Sequence, residues 1–162
     1  MQTDILNNNT LPQRIAEKLK EQKRFVGLAE SCTGGYISHL ITSLSGSSCY
    51  FKGGIVAYSN EIKNRILQVD EQIINQYGAV SKEVVEEMAK NVLDILNVDY
   101  SIAVSGIAGP DGGSVEKPIG TVWIAIANKN ETKAKCFSFG NGREQVIRQA
   151  AMAALEMLYS SL

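Results

Sequence analysis

The chain has 162 residues, 44% hydrophobic and 20% charged, with a formal net charge of -1. A chain of this length buries roughly 70% of its unfolded surface in one domain, and its near-zero charge excludes the basic stripe of a nucleic-acid binder. No apolar run approaches the ~20 residues of a membrane span, and the first ten residues, MQTDILNNNT, lack the basic flank and apolar core of a leader. No nucleic-acid or membrane partner is therefore expected, and the expected location is the cytoplasm.

Residues 1–9 are polar and Asn-rich and read as a flexible arm, leaving 10–162 as one domain. Thr10-Leu11-Pro12 starts a helix that runs to about Glu21. Phe25 to Ala29 is a short apolar strand, ESCTGG a turn, and Tyr36 to Leu44 an amphipathic helix. Tyr50 to Tyr58 reads as a strand with a bulge or close backbone approach at Gly53-Gly54. Short helices follow at Asn60 to Leu67 and Glu71 to Tyr77, then a longer one to about Leu96, capped by Ser81 with Glu83 in its first turn.

Strands at Asp99 to Ser105 and Gly120 to Asn128 bracket the Gly-rich GIAGPDGG; KNET turns the second strand into a third at Lys133 to Phe139. The last helix runs from Arg143 to about Leu158, with Val146, Ala150, Ala153, Ala154 and Leu158 on one face. The alternation predicts a single three-layer α/β/α domain with a mixed β-sheet.

Cys32, Cys49 and Cys136 are odd in number and widely spaced, and only one histidine accompanies them, so neither a disulfide framework nor a metal site is indicated. That histidine, His39, lies within a helix and reads as a surface or packing residue, which leaves a Ser-His-Asp triad without its base. A hydroxyl nucleophile here must pass its proton to a carboxylate, a tyrosinate or a neutral lysine.

Ser31 stands where a strand gives way to a helix, at the carboxyl edge of the sheet where open α/β folds bind ligands. If extended backbone continues through the motif, Ser31 and Thr33 face one way and Cys32 packs inward. The amides near Thr33, Gly34 and Gly35 are candidates to hold an oxyanion or a phosphate. The same residues also read as a plain helix start, Thr33 capping and the glycines turning.

Lys63 follows the polar cluster Tyr58-Ser59-Asn60 at the end of another strand, so it can share a pocket with Ser31. Ser48 competes as nucleophile, but the strand from Tyr50 to Tyr58 spans roughly 26 Å, so Ser48 reaches the site only from a folded-back loop or a neighbouring subunit. Glu30 and Glu61 flank the two central residues and read as capping or pairing groups, since an acid touching Lys63 would raise its pKa. GIAGPDGG offers open backbone amides, yet lacks the GK[ST] of a Walker loop and the spacing of the dinucleotide fingerprint.

Taken together, AESCTGG (29–35), GSS with YF (46–51), G-x-V-x-YSNE-x-K (54–63), GAVS (78–81), SGIAGPDGG (105–113) and KPIGTVW (117–123) resemble the CinA C-terminal domain family, including its standalone PncC nicotinamide mononucleotide amidohydrolases. The resemblance implies a carbon–nitrogen hydrolase that converts the carboxamide of nicotinamide mononucleotide to nicotinate mononucleotide and ammonia in pyridine nucleotide recycling, without metal or other cofactor. It implies Ser31 as nucleophile and Lys63 as base, with Tyr58 orienting Lys63 or the amide. Thr33, Ser105, the amides of Gly106, Ala108 and Gly109, and Arg143 are then candidates for ribose and phosphate. A homodimer or higher homo-oligomer is implied as well. The family commonly carries GDR before the last helix, whereas this chain reads Gly140-Asn141-Gly142-Arg143, without the acid. A non-catalytic nucleotide-binding module and an amidase for another substrate are alternatives on the same residues.

Overall fold

A computed structural model describes residues 9–140 and 142–162. The expected arm at 1–9 therefore lies almost wholly outside the described residues. In chain order the elements are α1 (Leu11–Gln22), β1 (Val26–Glu30), α2 (Tyr36–Thr42), β2 (Phe51–Val56), α3 (Asn60–Arg65), α4 (Glu71–Tyr77), α5 (Lys82–Leu96), β3 (Tyr100–Gly106), β4 (Thr121–Asn128), β5 (Thr132–Ser138) and α6 (Arg143–Ser161). A single 3-10 turn at Ser47–Cys49, absent from the sequence expectation, leads into β2.

The sheet is mixed, ordered β2-β1-β3-β4-β5. β1 runs parallel to β2 and β3, while β4 and β5 return antiparallel through the expected hairpin. Side chains alternate across the pleat, and residue size alternates with them. Leu28, Ile102 and Ile126 are register partners and join the core under α1, α2 and α6. One position on, Ala29, Ala103, Ala125 and Ala134 form a row across four strands on the opposite face. The small row lets α5 lie close, burying Val84, Val85, Met88, Ala89 and Val92 against it. Each large aliphatic side chain buried this way contributes about 1.5–3 kcal/mol.

Helix boundaries follow their caps. Ser81 Oγ accepts from the Val84 N–H at 3.3 Å, a plain cap as expected. The glycine feature of β2 is also present: its register with β1 shifts between Val26 and Gly27, opposite Phe51 and Gly53. A Cβ on Gly54 would collide with Ser38 Oγ of α2, so the glycine is what lets this helix approach the strand. Among the described residues no helix is long and apolar enough to cross a membrane.

Candidate active site

β1, β2 and β3 are parallel, so their carboxyl ends share one rim, and the segments after them meet there. Ser31 follows β1 and is fixed by its N–H donating to the Val104 carbonyl of β3 at 3.0 Å. Ala57 follows β2, and its N–H donates to the Glu30 carbonyl at 2.8 Å. After it, Ser59 caps α3, accepting from the Ile62 N–H at 3.2 Å, and the first turn of α3 turns Lys63 back toward the rim.

Lys63 is 1% exposed. Its Nζ donates to Ser31 Oγ at 3.0 Å, to the Ala57 carbonyl at 2.9 Å and to the Tyr58 carbonyl at 3.4 Å. No carboxylate lies within salt-bridge distance of it among the described residues. Burial without a counter-charge lowers its pKa to about 8. The flanking acids are engaged elsewhere: Glu61 pairs with Arg65 at 2.7 Å, and Glu30 is turned to the start of α2. A lysine whose neutral form is accessible near neutral pH, beside a serine hydroxyl, is an arrangement able to take the serine proton.

A cavity of about 260 Å³ opens on this pair. Ser31, Lys63, Tyr58, Ser105, Gly106, Ala108, Gly109 and Arg143 all line it, so eight residues singled out in the sequence come together. Asn60, Ala79, Val80, Ile107, Asp111 and Gly112 line it too. Asp111 and Gly112 belong to the Gly-rich stretch and Ala79 and Val80 to GAVS. Those motifs pointed to them without distinguishing a wall residue from a turn residue.

Several expectations change. The Thr33 side chain, Gly34 and Gly35 do not line the cavity, and the Thr33 hydroxyl and the Gly34 and Gly35 amides are spoken for. Thr33 Oγ1 and the Gly35 N–H donate to Glu30 Oε2 at 2.6 and 3.1 Å, and the Gly34 N–H donates to the Ser31 carbonyl at 3.0 Å. Nor does Thr33 cap α2; Glu30 supplies the acceptors instead. Among the described residues the amides in this turn that have no acceptor are those of Cys32 and Thr33. The chain turns at Ser31 rather than staying extended; Cys32 packs into the core, buried as expected, and also borders the cavity beside Ser31. Burial pushes the Cys32 thiol up to about 12.

Tyr58 orients Lys63 through its backbone carbonyl, not its hydroxyl. The hydroxyl, on a ring 59% exposed, accepts from Arg143 Nη2 at 2.8 Å, while Arg143 Nη1 donates to the Gly109 carbonyl at 2.8 Å. Ser105 Oγ donates to the Ala79 carbonyl at 2.8 Å, tying the end of β3 to the 78–81 turn. Ser48 lies exposed in the 3-10 turn at the far end of β2, outside the cavity of this chain. His39 is exposed and stacks on Tyr36, with ring centroids 6.3 Å apart.

The sequence profile of the CinA C-terminal domain matches residues 8–162. The chain belongs to the CinA C-terminal domain family. A CinA-like protein of Amoebophilus asiaticus is 46% identical over 156 residues, which are 96% of this chain and 38% of that protein. The chain thus spans less than two fifths of the CinA-like proteins of this kind. The nicotinamide-nucleotide amidohydrolase PncC of Escherichia coli K12 is 46% identical over 152 residues, covering 92% of this chain and 91% of that one. The crystal structure of the competence/damage-inducible protein CihA of Agrobacterium tumefaciens superposes with a TM-score of 0.91 at 36% identity, covering 93% and 92% of the two chains.

Four of the six stretches that carry the CinA resemblance meet at the cavity. AESCTGG brings Ser31, YSNE-x-K brings Tyr58 and Lys63, GAVS brings Ala79 and Val80, and SGIAGPDGG brings the wall from Ser105 to Gly112. The Arg143 guanidinium is held by a main-chain carbonyl and a phenol. Asn141 itself lies outside the described residues.

Proposed function

We propose that this domain is a nicotinamide-nucleotide amidohydrolase that converts nicotinamide mononucleotide and water to nicotinate mononucleotide and ammonia, without metal, in cytoplasmic pyridine nucleotide recycling. The observation that carries the reading is the Lys63 amine, buried without a carboxylate, 3.0 Å from Ser31 Oγ. The name of the Escherichia coli relative, matched over nearly the whole of both chains, supports the substrate.

In this reading neutral Lys63 takes the Ser31 proton as Oγ bonds to the carboxamide carbon. The oxygen of the tetrahedral intermediate takes the negative charge, and the unclaimed N–H groups of Cys32 and Thr33 are the donors available to hold it. Of the Thr33-to-Gly35 amides expected from the sequence, this keeps Thr33 and sets aside Gly34 and Gly35, whose N–H groups are engaged. The C–N bond then breaks, Lys63 returns its proton to the departing nitrogen, and ammonia leaves. Water next attacks the nicotinoyl ester with Lys63 again as base; the ester C–O bond breaks, Ser31 Oγ regains a proton, and the carboxylate is released.

A free lysine is neutral in roughly one molecule in 2,500 at pH 7, whereas a pKa of about 8 makes that roughly one in ten. The pyridinium of the substrate adds a positive charge near the amine, which favours the neutral form further and makes the carbonyl more electrophilic. The cavity is smaller than the ~300 Å³ lower bound of most small-molecule pockets, so a nucleotide fills it and extends over the rim at Tyr58, Asp111 and Arg143. Among the described residues β2 is an edge of the sheet, and Val56, Tyr58 and Ile66 beside it are exposed, which favours a second copy there in the expected homo-oligomer; light scattering reads this.

The test is ammonia release from nicotinamide mononucleotide by the purified chain, with no metal added, with and without chelator. Equal release in both arms is expected. A thermal shift on adding the nucleotide with no ammonia formed would favour the binding-module alternative instead.

A further inference from the structure

Glu30 ends β1 and immediately precedes the serine. Its side chain is 1% exposed, and no cation pairs with it among the described residues. A carboxylate buried in that way is stable only if donors surround it. Five do. Oε2 accepts from Thr33 Oγ1 at 2.6 Å and from the N–H groups of Gly35 and Ile37 at 3.1 Å each; Oε1 accepts from the Ser38 N–H at 2.8 Å and Ser38 Oγ at 2.7 Å. Charge-assisted bonds of this kind are short and directional, and together they fix the path of the chain from Ser31 into α2.

The main chain of the same residue governs the other half of the site. The Glu30 carbonyl accepts from the Ala57 N–H at 2.8 Å, and the Ala57 carbonyl in turn accepts from Lys63 Nζ at 2.9 Å. One residue therefore sets the register of the segment bearing the serine and of the segment bearing the amine. We propose that Glu30 is a positioning residue, whose carboxylate holds the Ser31 turn so that Oγ meets Lys63 Nζ and, by occupying Thr33 Oγ1 and the Gly35 N–H, leaves the Cys32 and Thr33 amides for the reacting carbonyl. The inference rests on the Ser31–Lys63 reading above.

Glutamine cannot replace it. A carboxamide has one acceptor oxygen, and its NH2 would face donors, so the bonds to one side of the network are lost and replaced by repulsion. The test compares wild type with Glu30→Gln in two assays: ammonia release from nicotinamide mononucleotide, and covalent labelling of Ser31 by a fluorophosphonate, located by mass spectrometry. The second reads serine activation whatever the natural amide is.

For Glu30→Gln that melts cooperatively, kcat and the labelling rate fall about 30-fold, KM stays within about threefold, and the pH midpoint of labelling is unchanged, because Lys63 remains buried. A purely structural role predicts a lower melting temperature with kcat and labelling per folded molecule within about twofold of wild type, and that result overturns the proposal. If Glu30→Gln does not fold, Thr33→Val combined with Ser38→Ala keeps the carboxylate and its backbone donors but removes its hydroxyl partners. That variant is expected to label about fivefold more slowly, and unchanged labelling again overturns the proposal. Labelling of wild type without ammonia release sinks the substrate reading alone and leaves the Glu30 comparison to be decided by labelling. A wild type that neither labels nor turns over sinks both.

Discussion

Lys63 Nζ lies 3.0 Å from Ser31 Oγ, and a backbone carbonyl, that of Ala57, holds it there from the other side at 2.9 Å. Two uncharged oxygens orient the amine without stabilising its proton as a carboxylate would. Its pKa of about 8 therefore reports burial. If, as proposed, the neutral amine is the base, kcat/KM is expected to rise about tenfold per pH unit below 8 and to level off above it. A pH–rate profile with no limb near 8 would remove Lys63 as the base.

The same burial couples to stability. With a folded pKa near 8 and an ordinary value of 10.5, the unfolded chain binds more protons between these limits, so the Lys63 contribution to stability rises with pH across that window. Below pH 8 the penalty is present in full, about 3 kcal/mol. Lys63→Met is expected to abolish the titration and the activity together. Its stability advantage over wild type should therefore shrink by about that amount between pH 8 and 10.5 in urea unfolding at each pH.

Ser31 and Cys32 both line the cavity, but the thiol, pushed up to about 12, stays protonated at neutral pH and is a poor nucleophile. Cys32→Ser is expected to keep kcat within about fivefold, whereas Ser31→Ala loses about 1,000-fold or more. Ser48→Ala, at the far end of β2, should behave as wild type. The reverse ranking in a steady-state ammonia assay would assign the reaction to the thiol.

Arg143 bridges the cavity rim, from the Gly109 carbonyl to the Tyr58 hydroxyl. Tyr58→Phe removes one hydrogen bond, worth about 1 kcal/mol, and is expected to raise KM about fivefold with little change in kcat. Arg143→Lys loses the fork that makes both contacts and should raise KM about tenfold or more. A fall in kcat at constant KM would instead place the pair with the reacting atoms.

Gly106 ends β3 at the cavity floor, where an added Cβ would lie 2.6 Å from Val122 Cγ2 and 3.0 Å from both Cys32 Sγ and the Thr121 carbonyl. The backbone oxygen cannot yield, so Gly106→Ala is expected to cost about 1–3 kcal/mol and to push Cys32 toward Ser31. Thermal unfolding and kcat should fall together.

The sequence by itself determined the element order, the mixed α/β/α layering and most of the residues that meet at the candidate site, because periodicity, caps and contiguous motifs are local properties. Ser31, Lys63 and the wall from Ser105 to Gly109 were legible on that basis, as was the close approach at Gly54. Only the tertiary structure decided which donors in ESCTGG are free, that Tyr58 contributes a carbonyl to Lys63 and its hydroxyl to Arg143, and that Glu30 holds the turn. Those outcomes depend on competition for hydrogen bonds among groups from β1, β2, α2 and α6. Such groups become neighbours only when parallel strands bring their carboxyl ends to one rim.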